Sequence, residues 1–531
     1  YNNLFSPFFT VDHIPTYELD LNDYFKGNYS HSNVLIVLLS FILYLVNLLP
    51  YLFQISILIA MLVSYFFIKK LTPKPILFSL IYFFNPFIYT RIMIGQLGVI
   101  LAHIMAPMYI YYLIMMFRKP DLKNISKAAI AYTLVGILQT QFFAFNLIYF
   151  IIGFIFFSKR FKLKDVKSYI FFFIILILLN AYWLQGFFQR EIFSQIDVSH
   201  EAFFSPKLSE KVSTSAKILG MWGFWRENAY MTTYKTLPLF LWYGLIFIFF
   251  IMMYLGYLKK PSKKSKFFLA MWFVGFILAI GISHRITGKF FHFLFSSIPF
   301  FSGFRDSHKF VTMMVLAYAY LIPFTLDYLK DKWKNFGKLV IILIIVFSSF
   351  PLIGLWGQVG KINYPESYFE VKTYLENQQI SGNIIYLPWQ TYLTYNWSLP
   401  ASSDGRIGNP AIKLFEPEII TGADRFGATT QLQYRIGNCI ANKSVNCLKE
   451  NSVEYVLSDE CAVMPYDETW LEKYEVYENS CFEIFRFDDF KQKGPKNFPV
   501  RFLVSGLLSS IILLTILILF SRKKLCFAFL K

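Results

Sequence analysis

The segment LFQISILIAMLVSYFFIKKLTPK, residues 52–74, decides the class of this fold. Its apolar part, 52–69, is long enough to cross the hydrocarbon core of a bilayer. It ends in the basic packet Lys69–Lys74, and the same unit of an apolar run beside a basic packet recurs along the chain of 531 residues. This pattern predicts an α-helical polytopic membrane protein.

The composition supports this class and argues against others. Hydrophobic residues make up 56% of the chain, aromatic residues 20%, and the mean hydropathy is +0.46. A soluble chain could not bury so much apolar surface, whereas a bilayer solvates it. The formal net charge of +18 comes largely from packets at the ends of apolar runs, which is typical of membrane loops. We therefore expect membrane lipids, and not nucleic acid, as partners.

About eleven spans are visible. The predicted spans are 52–69, 74–91, 96–117, 125–141, 142–157, 167–187, 237–257, 266–284, 310–328, 338–356 and 500–521. Basic packets fall in every second connection: Lys69–Lys74, Arg118–Lys123, Lys159–Lys167, Lys259–Lys266, Lys330–Lys338 and Arg522–Lys524. Under the positive-inside rule these connections and the carboxy-terminal tail are cytoplasmic, in a plasma-membrane protein.

The alternation divides the chain into three parts. Residues 1–356 form a multi-span domain whose long outer loops are 1–32, 188–236 and 285–309. Residues 357–499 form an extracytoplasmic domain, and 500–531 form a final helix and cytoplasmic tail.

An outer segment 1–32 normally follows a helix, so we expect one further span ahead of Tyr1. The run 33–49 does not fit the alternation and is interpreted as an outer-leaflet or re-entrant helix, broken by Pro50.

The outer domain is predicted to be α+β. It mixes one helical stretch, Tyr364–Gln378, with short β-branched and aromatic runs. The runs are Asn383–Leu387, Val453–Leu457, Tyr474–Tyr477 and Cys481–Phe487. Four of the five cysteines lie here, Cys439, Cys447, Cys461 and Cys481, which suggests one or two disulfides. Zinc is the competing interpretation, but no CxxC spacing or nearby histidine supports it.

Candidate site residues gather at the predicted outer face. The first group is acidic and lies in residues 12–23: Asp12, His13, Glu18, Asp20 and Asp23. A carboxylate there could deprotonate a hydroxyl, and Asp20 with Asp23 could hold a divalent cation against a phosphate. The alternative is a solvated acidic loop. No other cofactor is indicated by the sequence.

The second group is Phe304-Arg305-Asp306-Ser307-His308-Lys309, just before span 310–328. Arg305 offers a planar fork and Lys309 a point charge for a lipid-linked phosphate, with His308 between them. The alternative is an interfacial anchor in which the two cations snorkel while Asp306 caps the following helix.

Two further groups lie in the other outer connections. Arg91, with Asn85-Pro86-Phe87 and Gly95-Gln96-Leu97-Gly98, could line a cavity or serve helix packing. The outer loop 188–236 carries Trp222, Trp225 and Glu227, whose aromatic faces and carboxylate suit a sugar ring. Both tryptophans suit an interfacial anchor equally well.

Taken together, these pieces resemble the GT-C superfamily of membrane glycosyltransferases, in particular its YfhO-like and arabinofuranosyltransferase-like members. The motifs that carry the resemblance are the acidic first loop, the hairpin Tyr82–Gly98, Gly223-Phe224-Trp225-Arg226, the Phe304–Lys309 segment and the outer α+β domain closed by a last helix. The resemblance implies transfer of a sugar from a polyprenyl-phosphate carrier to a glycan, lipid or protein acceptor outside the cell.

The resemblance also implies roles for individual residues. The catalytic base would be an acid of the first outer loop, Asp12 first, followed by Asp20 and Asp23. Arg305 and Lys309, with His308 and Arg91 nearby, would face the carrier phosphate. Two other functional classes stay open: a lipid or solute transporter or flippase, and a non-catalytic scaffold that presents the outer domain.

Overall fold

The computed structural model describes residues 34–158, 163–184, 192–193, 206, 213–225, 239–298, 301–349, 364–398, 406–415, 419–422, 429–464, 466–492 and 500–522.

Fourteen helices are described before residue 350. They are α1 (Val34–Leu45), α2 (Leu52–Leu71), α3 (Pro75–Phe83), α4 (Pro86–Ile94), α5 (Leu97–Arg118), α6 (Leu122–Leu138), α7 (Phe142–Phe157), α8 (Leu163–Leu184), α9 (Thr214–Leu219), α10 (Leu239–Lys259), α11 (Lys263–Ile280), α12 (Arg285–Ser297), α13 (Val311–Tyr328) and α14 (Asp331–Ser349). Residues 357–499, predicted to be extracytoplasmic and called the outer region for that reason, add α15 (Glu366–Glu376), α16 (Ala411–Leu414), α17 (Gln431–Ala441) and α18 (Val445–Glu450). Helix α19 (Val500–Arg522) follows this region.

Each predicted span contains a helix. Six helices of the described part, α2, α5, α8, α10, α11 and α13, are long and apolar enough to cross a membrane. The predicted span 74–91 is instead a broken one, because α3 and α4 meet at an angle of 44°. The break falls where Asn85-Pro86 removes a backbone donor. The total number of crossings stays a prediction.

The segment 33–49 contains the 12-residue helix α1, followed by a short 3₁₀ turn at Leu49–Tyr51. A helix needs about 20 residues to cross the hydrocarbon core, so α1 is too short to do so. This length agrees with the prediction that the segment makes no full crossing. Its depth in the membrane stays a prediction.

Helix α13 forms the centre of the bundle. Every residue from Val311 to Leu326 is buried, and the helix packs mainly against α10, α11 and α3. Its closest neighbour is α10, where a side chain at Gly256 would meet the carbonyl oxygen of Leu321 at 2.0 Å. A helix surrounded by other helices can be apolar all round, which is why its sequence shows no polar stripe.

Three polar contacts join segments near the ends of the predicted spans. At one end, Lys74 Nζ lies 2.8 Å from Asp327 Oδ1, and Lys264 Nζ donates to the Leu71 carbonyl at 2.9 Å. Lys74, Leu71 and Lys264 belong to predicted cytoplasmic connections, and Asp327 lies in the last turn of α13. At the other end, Gln141 donates to the Gly303 carbonyl, which joins two predicted outer connections. Which end faces the outside stays a prediction.

The outer region contains a five-stranded mixed sheet, as the α+β prediction requires. Its strands are β2 (Asn383–Leu387), β5 (Ile419–Ile420), β7 (Val453–Asp459), β8 (Glu475–Glu478) and β9 (Phe482–Arg486). Across the sheet they run in the order β5-β2-β7-β9-β8. Strand β2 is parallel to β5 and β7, whereas β9 is antiparallel to β7 and β8. A separate hairpin pairs β3 (Tyr392–Thr394) with β4 (Arg406–Gly408).

Helices cover both faces of this sheet. Helix α15 packs through Tyr368, Val371 and Leu375 on one face, and α17 packs through Ile436 and Ile440 on the other. Successive residues of β2 and β7 alternate between the two cores, as the period of a strand dictates. The central strands are therefore apolar on both sides, which explains their continuous hydrophobic sequence.

Two disulfides hold the outer region, Cys439–Cys447 and Cys461–Cys481. The prediction of one or two disulfides among these four cysteines is confirmed, and the zinc alternative is wrong for them.

The outer region also contacts the outer loops. Strand β1 (Ile192–Phe193), in the predicted loop 188–236, pairs antiparallel with β6 (Thr429–Thr430). Tyr392 of β3 packs against the core of the helical bundle. The sheet domain is therefore joined to the bundle by side-chain packing and by main-chain pairing as well as by the chain itself.

Candidate functional site

The candidate site begins with the short helix α4, whose ends are both specified by sequence. The side chain of Asn85 accepts a hydrogen bond from the Ile88 amide at 3.1 Å, and Pro86 occupies the first turn. Gly95 ends the helix with φ of 89°, a left-handed conformation that favours glycine. The motifs Asn85-Pro86-Phe87 and Gly95-Gln96 therefore build a capped helix that carries Arg91 in its last turn.

Arg91 lies in the interior and is fully buried. Its Nη1 atom is 2.7 Å from Asp306 Oδ2 and 2.7 Å from Gln96 Oε1. Its Nη2 atom is 3.0 Å from His308 Nδ1. The two predicted groups around Arg91 and around Arg305–Lys309 thus meet in one cluster, which we call the Arg91–Asp306 cluster: Arg91, Gln96, Asp306, His308 and Lys309.

The contacts determine the charge state of His308. A guanidinium only donates hydrogen bonds, so Nδ1 of His308 must accept from Arg91. The proton then lies on Nε2, which donates to the Met221 carbonyl at 3.2 Å. His308 is therefore a neutral connector between Arg91 and the loop 213–225, and it adds no positive charge to the cluster.

Aromatic rings complete the surroundings of Arg91. Its guanidinium carbon lies 5.2 Å from the centre of the Phe87 ring and 4.9 Å from that of Phe224. A cation between aromatic faces is stabilised electrostatically, which compensates in part for its loss of hydration. Phe87 and Phe224 come from different segments, so this contact joins the hairpin to the loop 213–225.

Asp306 is ionised in this setting. Burial raises the pKa of its carboxyl group, but the charges of Arg91 and Lys309 outweigh burial and hold the pKa below its usual range. Lys309 Nζ lies 3.9 Å from Asp306 Oδ2. The alternative in which Asp306 caps the following helix is wrong, because its side chain makes no capping hydrogen bond. Its carboxylate instead pairs with Arg91.

Lys309, a member of the cluster, and Arg305, which precedes Asp306 in the chain, are only partly buried. Lys309 lies on the 3₁₀ turn Ser307–Phe310, and Arg305 follows the 3₁₀ turn Phe301–Phe304. The rings of Phe304 and Phe310 pack on Phe145 of α7. The two cations predicted to bind phosphate are thus close in sequence to the buried Asp306 and more exposed than it. Their binding role stays a prediction.

The predicted sugar-binding residues have different surroundings. Trp222 is fully buried, with its ring against Tyr89 and Trp242 at centroid distances of 5.9 Å and 6.0 Å. Trp225 keeps part of its surface exposed and lies 5.5 Å from Phe224. Of the two rings, only Trp225 has surface that a ligand could contact in this conformation. Glu227 lies outside the described residues.

The predicted acids of the first loop, Asp12, Asp20 and Asp23, also lie outside the described residues. Their roles as base or as ligands of a divalent cation therefore stay predictions. In the part of the chain that is described, no group of three or more His, Cys, Asp or Glu side chains could hold a metal ion.

The sequence interpretation did not assign Asp306 and Gln96 to the site. Both were noticed, but in different groups, and Asp306 follows Arg91 by 215 residues. The sequence around Asp306 offers one signal. A carboxylate just before an apolar span is expensive to bury, so its position implies a partner of opposite charge.

A second polar cluster lies deeper in the bundle. His103 of α5 contacts the Thr312 hydroxyl, and its ring stacks on Tyr82 at 4.4 Å. The Phe87 ring lies between His103 and His308, at centroid distances of 5.2 Å and 5.4 Å. A phenyl ring offers no hydrogen bond, so Phe87 separates this cluster from the Arg91–Asp306 cluster.

Comparison with known proteins bears on the fold. No protein-family model matches the sequence, and no curated protein matches it. Two solved structures of arabinofuranosyltransferase AftD from mycobacteria are similar. One has a TM-score of 0.57 at 11% identity over 91% of this chain. The other, a mutant, has a TM-score of 0.53 at 12% identity over 84% of this chain.

The match covers 36% of the AftD chain in both structures, so this chain spans about a third of that protein's length. At 11–12% sequence identity, the structural similarity shows the fold alone. The bundle, the broken span, the mixed outer sheet and the last helix together identify the chain as a polytopic membrane protein with a GT-C-like fold.

Proposed function

We propose that this protein is a membrane glycosyltransferase that moves a sugar from a polyprenyl-phosphate carrier to a glycan, lipid or protein acceptor on the extracytoplasmic side. The observation that carries the proposal is the fold, which resembles an arabinofuranosyltransferase over 91% of the chain. Because one fold serves many functions, the site must also suit the chemistry.

The charges of the site suit a phosphate leaving group. Arg91, Arg305 and Lys309 contribute three cations, whereas Asp306 contributes one carboxylate. Arg91 neutralises the charge of Asp306 in the interior. The positive charges of Arg305 and Lys309 therefore exceed the negative charge that remains at the site. Fixed cations that meet a developing phosphate anion lower the barrier of a transfer reaction.

The general base must come from elsewhere. Asp306 is 5% exposed and paired with Arg91, so it cannot accept a proton from an incoming hydroxyl. We assign this role to the first-loop carboxylates, with Asp12 as the first candidate and Asp20 and Asp23 as further ones. Trp225 is the candidate for stacking on the sugar.

The proposed reaction is an inverting transfer. The carboxylate takes the proton of the acceptor hydroxyl while its oxygen attacks C1 of the sugar. The bond between C1 and the phosphate oxygen breaks, and polyprenyl phosphate leaves beside Arg305 and Lys309. The proposal leaves the choice between pentosyl and hexosyl donors to experiment.

The experiment measures sugar transfer in proteoliposomes that contain purified protein and radiolabelled pentosyl or hexosyl polyprenyl phosphates. We expect Arg305→Gln and Lys309→Gln to lower kcat by about 10²–10³-fold, as loss of a group that stabilises a developing anion does. Asp12→Asn should lower kcat as well. Lys330→Gln, an exposed lysine of the predicted cytoplasmic face, serves as the control and should leave transfer unchanged.

The variants must keep the melting temperature of the wild type, so that a folding defect is not read as a catalytic one. Undiminished transfer by folded Arg305→Gln and Asp12→Asn proteins would contradict the proposal. Movement of labelled lipid or solute across the membrane, without transfer, would favour a transporter instead.

A further inference from the structure

Helix α12, in the predicted outer loop 285–309, has three distinct faces. Phe291 and Phe295 are buried against the bundle. Ile286, Phe290 and Phe293, spaced four and three residues apart, are 75%, 49% and 59% exposed. Arg285, Lys289 and His292 repeat the same spacing one residue earlier and are exposed too. At 3.6 residues per turn, the helix carries a buried face, an exposed apolar face and an exposed basic face.

The exposed apolar face needs a partner other than water. Three large apolar side chains on one short helix form a patch that soluble surfaces rarely show. Helix α12 connects the candidate spans Lys263–Ser283 and Ser307–Tyr328, so it lies at the end of the bundle where both spans leave the membrane. At that level the available apolar partner is the acyl region of the bilayer.

The basic face is complementary to anionic lipid headgroups. No Asp or Glu occurs from residue 263 to residue 305, so the helix and its flanks carry only positive charge. Within the described residues, neither Arg285 nor Lys289 has an ion-pair partner. A helix with an apolar face beside a basic one lies in the membrane interface and prefers anionic lipids.

Helix α12 is also packed against the segment that carries Arg305. The Phe291 ring lies 5.4 Å from that of Phe301, which lies 5.3 Å from that of Phe304. A lipid headgroup bound by Arg285 and Lys289 would therefore lie on the same side of the bundle as Arg305 and would fix the depth of this segment in the interface.

We propose that α12 is an interfacial helix whose Arg285 and Lys289 bind the headgroup of an anionic phospholipid while Ile286, Phe290 and Phe293 contact its acyl chains. This site is separate from the proposed donor site and does not depend on the proposed activity.

The experiment places a benzophenone amino acid at position 293 and reconstitutes the full chain in nanodiscs with equal amounts of phosphatidylglycerol and phosphatidylcholine. After irradiation, mass spectrometry measures the ratio of the two lipid adducts. We expect the ratio to favour phosphatidylglycerol. Each of Arg285→Gln and Lys289→Gln should lower it by roughly five-fold, which corresponds to about 1 kcal/mol for a basic residue at the surface.

Two controls separate the site from general charge effects. The variant Arg435→Gln/Lys491→Gln removes two exposed cations from the outer domain and should leave the ratio unchanged. The charge-conserving variant Arg285→Lys/Lys289→Arg should keep the preference, which shows that the glutamine variants fail through charge and not through folding.

Three results would overturn the proposal. The first is an absence of lipid adducts at position 293. The second is an adduct ratio that the glutamine variants do not change. The third is a loss of the phosphatidylglycerol adduct with inorganic phosphate that sodium chloride of equal ionic strength does not cause, which would indicate a site for free phosphate. Protein adducts in place of lipid adducts would count with the first result.

Discussion

Arg91 carries a permanent charge in the interior, so the free-energy cost of burying its guanidinium must be offset by its partners. A guanidinium stays protonated in proteins and cannot escape burial by losing its charge. Asp306, Gln96 and His308 accept its hydrogen bonds, and Phe87 and Phe224 lie near its faces. Removal of Arg91 or of Asp306 leaves the other charge of the pair buried without this partner.

At this scale we predict that Arg91→Gln destabilises the protein by about 3–5 kcal/mol, because the buried Asp306 carboxylate then keeps, among the described residues, only Lys309, at 3.9 Å, as a counter-charge. The measurement is unfolding of the detergent-solubilised protein. Lys74→Gln is the matched control, since Lys74 and Asp327 form an exposed pair at 2.8 Å. The control should cost less than about 1 kcal/mol.

The double variant Arg91→Met/Asp306→Leu should recover much of the lost stability, because replacing both charges of a buried pair by apolar groups is often nearly neutral. Equal effects of Arg91→Gln and Lys74→Gln would contradict this account of the cluster.

The residue scale also shows a limit of prediction from sequence. The basic and acidic side chains at 304–309 were recognised as unusual, and Arg91 was named as a candidate. The contact between Arg91 and Asp306 depends on how α4 packs against α13 and the turn before it. The local sequence of either segment does not predict that packing. The capped ends of α4, in contrast, follow from Asn85-Pro86 and Gly95 alone.

At the scale of elements, the long helices were predictable and their fine structure was not. Each of the eleven predicted spans contains a helix, and six helices of the described part have the length that a bilayer requires. The break between α3 and α4 was missed, although Pro86 marks it. Helix α12 was predicted only as part of a loop, because its 13 residues are too few for a membrane span.

The contact between α10 and α13 provides a test at this scale. A Cβ at Gly256 would meet Leu321 backbone at 2.0 Å, whereas one at Gly244, on the same helix, meets nothing within 4 Å. We predict that Gly256→Ala lowers the unfolding free energy by about 1–3 kcal/mol through overpacking.

The measurement is the melting temperature of each purified variant. Gly244→Ala, the control, should be neutral or slightly stabilising, because alanine is the better helix former. A Gly256→Ala protein as stable as Gly244→Ala would show that the two helices are farther apart than described.

At the scale of the whole molecule, the bundle and the outer domain are joined by contacts that local sequence does not reveal. The composition change after Trp356 predicted a separate domain, and its strands were found nearly at their predicted bounds. The pairing of β1 with β6 was not predicted, because two-residue strands leave no periodic signal.

We predict that cysteines at positions 192 and 430, which are partners in this register, form a disulfide in a Cys526→Ser background. The measurement is the loss of reactivity toward a maleimide that shifts the mass of the protein. The pair 192 and 429 is the control, because a shift of one residue moves a strand position to the opposite face. Equal oxidation of both pairs would contradict the register.

The central position of α13 has a consequence for biogenesis. Asp306, which precedes this helix, is translated 215 residues after Arg91, or roughly ten to forty seconds later at typical synthesis rates. During that interval the guanidinium lacks its Asp306 partner, so we expect α4 to stay near the polar interface while later segments enter the membrane. The bundle can close only when α13 arrives, and a nascent chain that stalls before residue 306 would present an unpaired arginine to the quality-control machinery of the membrane.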